Sequence, residues 1–198
     1  MKSNVCTLPR EAKDTASLSD ILNESEKVAS YCGLDKKSSG RLRLLAEELV
    51  GMLPELLSFS SGEFWIDSEG TTFELHTVLT PDENMTYDLR EKLLAVSSNG
   101  KNEAAKGIMS KIRLAAAFML IDYEENAFIN EGFYAAGLDP SQAVYSAVWN
   151  LDTYRRKAKE KQGEEWDELE RSIIANIADD VLVGVQGKRV DIIVKKTF

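Results

Sequence analysis

The stretch RLRLLAEELVGMLPELL, residues 41–57, is the feature that most constrains how this chain can fold. Its leucines recur at steps of three and four residues, which is the apolar stripe of an amphipathic helix. The stripe consists of Leu42, Leu45, Leu49, Leu53 and Leu56. We therefore expect a long helix over about 38–58, with Glu48 and Met52 one turn apart on the same side.

Two further segments have the residue pattern of β-hairpins. The first spans 63–80, and its turn is predicted at Ser68-Glu69-Gly70. The second spans 181–194, with a two-residue turn at Gln186-Gly187. In the second strand of the first hairpin the two faces alternate, one with Phe73, Leu75, Thr77 and Leu79 and the other with Thr72, Glu74, His76 and Thr80.

The order of helices and hairpins predicts the fold class. Besides the long helix, helices are expected over about 17–32, 86–96, 103–121, 140–161 and 164–178. Two hairpins separated by helices favour an α+β fold, in which one mixed or antiparallel sheet carries the helices on one face as a two-layer sandwich.

Composition excludes several classes of protein. Of the 198 residues, 43% are hydrophobic, enough for a core without metal or disulfide support. The formal net charge of −9 argues against a broad basic patch, so no nucleic-acid partner is expected. The N-terminal residues lack the apolar region of a signal peptide, and no apolar run approaches the ~20 residues of a membrane span. We expect a cytoplasmic protein without membrane contact.

Residues often used in catalysis or metal binding are scarce. His76 is the only histidine, and no second ligand is spaced to join it, so no metal site is expected. The cysteines Cys6 and Cys32 are too few for a disulfide framework. The charged run 155–161 is typical of a solvated helix face.

Three parts of the chain resemble the histidine-kinase-like (GHKL) ATPase superfamily, most nearly its anti-sigma-factor kinases. They are the helix AEELVGML, the hairpin 63–80 and the terminal block SIIANIADDVLVGVQGKRVDIIVKK. In that family an E-x-x-x-N helix supplies a catalytic Glu and a magnesium-binding Asn, and a D-x-G-x-G loop recognises adenine. The resemblance implies a single domain over 1–198 with the Bergerat-like ATPase fold and a helical insertion at 122–163.

Glu48 matches the catalytic Glu of the family. The position of the magnesium-binding Asn is occupied by Met52, whose thioether cannot replace an oxygen ligand of a hard cation. The substitution argues against a bound magnesium ion. Asp82 stands where the adenine-binding Asp is expected, but both glycines of that loop are absent.

The resemblance leaves the phosphate loop with two alternatives. One is the segment 97–101, which contains Gly100 and Lys101 and precedes a helix that contains Gly107. The other is Gln162-Gly163 before the last helix. Lys188 occupies the position of the Thr in the family's final hairpin.

We therefore expect a regulatory protein that acts by contact with another protein and binds ATP weakly or not at all. The alternative is an active ATP-dependent serine/threonine kinase, with Glu48 as general base and the phosphates held at Gly100 and Lys101. The expected partners are a regulatory protein and, in the alternative, an adenine nucleotide. A homodimer and an adaptor that docks through 122–163 both stay open.

Overall fold

Two long helices follow a short N-terminal strand. The computed structural model describes residues 1–8, 15–56, 58–82, 112, 116, 149–161, 172–186 and 189–198. Strand β1 (Cys6–Thr7) precedes helices α1 (Thr15–Tyr31) and α2 (Lys36–Leu56). The helices predicted over about 17–32 and 38–58 are thus confirmed.

The connection between α1 and α2 explains where each helix stops and starts. Gly33 adopts a φ of 69°, and the N–H of Leu34 donates to the carbonyl of Ala29 at 3.0 Å. This is a Schellman C-cap, which favours glycine because other residues are strained at positive φ. Asp35 then caps α2 by accepting a hydrogen bond from the N–H of Ser38 at 2.7 Å.

The remaining described elements form one antiparallel sheet with two shorter helices. The six strands lie in the order β1-β2-β3-β6-β5-β4, and every described pair is antiparallel. The elements are β2 (Phe59–Glu69), β3 (Thr72–Pro81), β4 (Trp149–Asn150), α3 (Leu151–Lys161), α4 (Ile173–Ile177), β5 (Asp180–Gln186) and β6 (Arg189–Thr197). An α+β fold with an antiparallel sheet is therefore confirmed.

One face of the sheet and the apolar sides of the helices form a single hydrophobic core. The strands contribute Phe64, Ile66, Phe73, Leu75, Leu79, Val181, Val183, Val190, Ile192 and Val194. The helices contribute mainly the leucine stripe of α2, with Leu42, Leu45, Leu49 and Leu53 all buried. The other face of the sheet, which we call the outer face, carries half-buried residues such as Trp65 and His76.

The structure corrects the predicted turn of the first hairpin. The connecting residues are Gly70 and Thr71, with Glu69 opposite Thr72, rather than 68–70. Gly70 has a φ of 58° and is the first of the two turn residues, whereas the prediction made it the last of three. In the second hairpin Gln186 belongs to β5 and pairs with Arg189.

Two predicted helices also differ from the structure. Trp149 and Asn150, expected within a helix over 140–161, instead pair with β5 as a short strand, the outermost described one on that side. A continuous helix over 164–178 does not occur, because Ser172 has extended backbone angles and caps the start of α4 through a hydrogen bond from the N–H of Ala175. The predicted helix 86–96 lies outside the described residues, as do 122–148 of the predicted insertion 122–163, so that insertion stays a prediction.

Candidate functional site

The residues carried over from the resemblance begin on α2. Glu48 and Met52 are one turn apart and both half-buried. The side chain of Met52 packs against the hydrophobic core. A thioether in this position offers no oxygen to a magnesium ion, which coordinates oxygen ligands almost exclusively.

Asp82 lies just after β3 and close to the segment that follows α2. Its side chain is exposed, and its backbone N–H donates to the carbonyl of Ser58 at 3.1 Å. The structure therefore places Asp82 beside a residue two positions beyond the end of α2. The other predicted nucleotide-binding residues, Gly100, Lys101, Gly107 and Lys188, lie outside the described residues, as do both candidate phosphate loops.

A second group of polar side chains lies on the outer face of the sheet, where sequence reasoning expected no site. Trp65 on β2 stacks on His76 of β3, with ring centroids 4.9 Å apart and planes inclined by 3°. Lys2, which precedes β1 on the opposite flank of β2, holds its ammonium 4.3 Å from the centroid of the Trp65 ring. The indole is thus contacted from both flanks of β2, by an imidazole and by a cation.

Two carboxylates face the imidazole of His76. Its Nε2 lies 3.4 Å from Asp67 Oδ2 and 3.4 Å from Glu74 Oε2. Asp67 also accepts a hydrogen bond from Trp65 Nε1 at 2.9 Å, and Glu74 pairs with Lys195 at 2.6 Å. Burial lowers the pKa of His76 and outweighs both carboxylates, which act to raise it.

The polar groups of this cluster contact one another across the sheet. No group of three or more potential metal ligands occurs among the residues that the structure describes. Asp67 accepts a hydrogen bond from Trp65, and Glu74 pairs with Lys195. The imidazole of His76 contacts Trp65 and both carboxylates. The cluster therefore connects the N-terminal segment at Lys2 with β2, β3 and β6.

Comparison with known proteins returns no relative. No protein-family model, no curated protein and no solved structure matches this chain. In the described part of the chain, no helix is both long and apolar enough to cross a bilayer. The GHKL resemblance therefore rests on the residues that suggested it.

The cluster on the outer face could have been found from the sequence only with the correct hairpin register. Placing the turn at Gly70-Thr71 brings Trp65 opposite His76 and Asp67 opposite Glu74. A turn over 68–70 would instead put Trp65 opposite Phe73, on the buried face. The signal was the glycine of the turn.

Proposed function

We propose that the chain is a cytoplasmic regulatory protein that acts by contact with another protein, on a GHKL-like scaffold whose nucleotide site is degenerate. The observation that carries this proposal is Met52, which lies one turn from Glu48 and packs against the core. Phosphoryl transfer depends on a metal ion that neutralises the phosphate charge, and Met52 supplies no oxygen ligand for that ion.

The overall charge and the fold also support the proposal. At −9 the chain repels a polyanion such as ATP unless a local basic site compensates. The antiparallel sheet, with its helices packed into one core, is compatible with the architecture that the resemblance implies.

The test is thermal unfolding with and without Mg-ATP. A ligand that binds only the folded state with a Kd of about 1 mM would, at about 5 mM, stabilise the chain by about 1 kcal/mol. For a chain of this size that corresponds to a rise in Tm of about 2–4 °C. We expect no such rise, and the same concentration of magnesium chloride alone serves as the control.

The alternative, an active kinase, is favoured by one feature: Glu48 keeps the position of the general base and is half-buried on α2. It predicts a rise in Tm of several degrees with Mg-ATP that is lost in Lys101→Ala, whereas Glu48→Gln, which removes only the general base, should keep the rise and abolish phosphoryl transfer. That result would overturn the proposal of a degenerate site.

A further inference from the structure

A groove runs between β1 and α1 at one edge of the sheet. β1 is the outermost described strand on this side and pairs with β2 alone. The groove has a volume of about 1090 Å³ and is lined by residues 5–7 and by one side of α1. We call it the β1–α1 groove.

Main-chain groups of β1 face this groove. Leu8 donates its N–H to the carbonyl of Gly62 on β2 at 2.9 Å. Because bonding to one neighbour alternates along an antiparallel strand, the N–H and C=O of Thr7 point away from β2. Further along, α1 already supplies a partner for the edge, since Glu24 Oε1 accepts from the N–H of Asn4 at 3.0 Å.

The side chains of the groove combine exposed apolar surface with negative charge. Val5 is 53% exposed and Tyr31 is 79% exposed, and both line the groove. The described charged residues of the lining are the carboxylates of Asp20, Glu24 and Glu26 and the ammonium of Lys27.

Among the described residues, Asp20 is the carboxylate of the groove that pairs with no cation. Glu24 pairs with Lys27 at 3.2 Å, and Glu26 pairs with Arg43. The negative field also acts on Cys6, whose thiol pKa is raised by burial and then by Glu24 and Asp20. A raised thiol pKa makes Cys6 a poor nucleophile, so the groove is better suited to binding than to thiol chemistry.

We infer that the β1–α1 groove receives an extended, positively charged segment of a partner protein, which adds to the sheet as a strand beside β1. Main-chain hydrogen bonds to Thr7 provide affinity in this mode, and Val5, Tyr31 and Asp20 select apolar and basic side chains. The inference rests on the proposed function, because it names the class of partner that a regulatory protein of this kind contacts.

The test uses two synthetic peptides of equal length, Ac-KVKVKVK-NH2 and Ac-EVEVEVE-NH2. The full chain, labelled with ¹⁵N, is titrated with each peptide and followed by amide resonances and hydrogen exchange. We expect the cationic peptide to shift the resonances of residues 5–7 and of α1, and to slow exchange of the Thr7 N–H. The anionic peptide leaves them unchanged.

Variants separate the main-chain contribution from that of charge. Thr7→Pro removes the outward N–H and should weaken binding of the cationic peptide at least about tenfold, whereas Thr7→Val keeps the N–H and should bind within about twofold of the original chain. Asp20→Lys reverses an exposed charge and should weaken binding about three- to tenfold. Circular dichroism checks that each variant is folded.

Three results would overturn the inference: no binding of the cationic peptide, equal binding of both peptides, or undiminished binding to folded Thr7→Pro. If Thr7→Pro does not fold, unchanged binding to Asp20→Lys has the same consequence. Each leaves the Mg-ATP melting experiment unaffected, so failure of the groove is distinguishable from failure of the proposed function.

Discussion

Gly62 is the residue where the packing of the sheet edge leaves no room for a side chain. A Cβ at this position would lie 2.8 Å from Leu8 Cδ1, 3.1 Å from Leu8 Cβ and 3.0 Å from Leu79 Cδ2. Leu8 and Leu79 are both buried, so neither can move away without disturbing the core. We expect Gly62→Ala to lower the free energy of unfolding by about 1–3 kcal/mol, measured by urea denaturation.

Gly184 on β5 is the matched control. A Cβ there meets no atom of the described residues within 4 Å, and its φ is not positive. Gly184→Ala should be neutral or stabilise by about 0.4–1 kcal/mol, because alanine restricts the unfolded chain. Equal effects of the two substitutions would show that the contact with Leu8 imposes no constraint.

The single residue His76 makes the stability of the chain depend on pH. Burial lowers its pKa in the folded chain, with Lys2 adding to the effect, while Asp67 and Glu74 act to raise it. The unfolded chain therefore binds the proton more readily, so this contribution to stability is present above about pH 6.5, the ordinary pKa, and is lost as the pH falls.

We accordingly expect His76→Gln to flatten the decline of stability between neutral and mildly acidic pH. Urea denaturation of both proteins over this range measures the slope. An unchanged slope in His76→Gln would mean that the attraction of Asp67 and Glu74 balances burial, and a steeper slope would mean that it outweighs burial.

Arg155 connects two helices at the scale of whole elements. Its guanidinium donates to the carbonyls of Asp179 at 2.9 Å and Ala178 at 3.0 Å, and also to that of Ala175. These carbonyls lie at the C-terminal end of α4, where a cation is favourable. We expect Arg155→Ala to lower the free energy of unfolding by about 1–3 kcal/mol.

The neighbouring arginine provides the control for that prediction. Arg156 is exposed, and its described hydrogen bond is to Thr153 on its own helix, at 3.2 Å. Arg156→Ala should change stability by less than about 0.5 kcal/mol. Both values come from the same urea titration, and similar losses in the two variants would show that the bonds to α4 contribute little.

Elements with local signals were predictable from the sequence, and those set by distant partners were not. The stripe of α2 and the Gly33 cap of α1 depend on residues within a few positions. The run 155–161 was predicted to be solvated, which holds for Arg156 but not for half-buried Arg155. The carbonyls that bind Arg155 lie more than fifteen residues away in sequence, so no local pattern revealed them.

The candidate site shows the same division. The spacing of Glu48 and Met52 on one helix face follows from helical periodicity alone, and the structure has it. The stack of Trp65 on His76 depends on hairpin register, and a turn misplaced by a few residues moves Trp65 to the other face of the sheet. Exposed Val5 and Tyr31 line one groove only because α1 lies beside β1.

At the scale of the whole molecule, the strand order joins the two ends of the chain. β6, the last element, lies between β3 and β5, and eight residue pairs from Thr72↔Thr197 to Leu79↔Val190 connect it to β3. Neither hairpin predicts this junction, because each is defined by its own turn. The N-terminal and C-terminal hairpins consequently share one sheet and one core.

A shared sheet and core predict a single cooperative unfolding transition. Two variants report on opposite sides of the β3–β6 junction: Trp149→Phe with Trp166→Phe keeps Trp65 on β2, and Trp65→Phe with Trp166→Phe keeps Trp149 on β4. In urea, fluorescence and far-UV circular dichroism should give coincident midpoints within each variant. The dichroism midpoint corrects for any change in stability caused by the substitutions. If Trp65 and Trp149 each reported a midpoint displaced from the dichroism of its own variant, the two hairpins would unfold as separate units, and the β3–β6 pairing would not couple them.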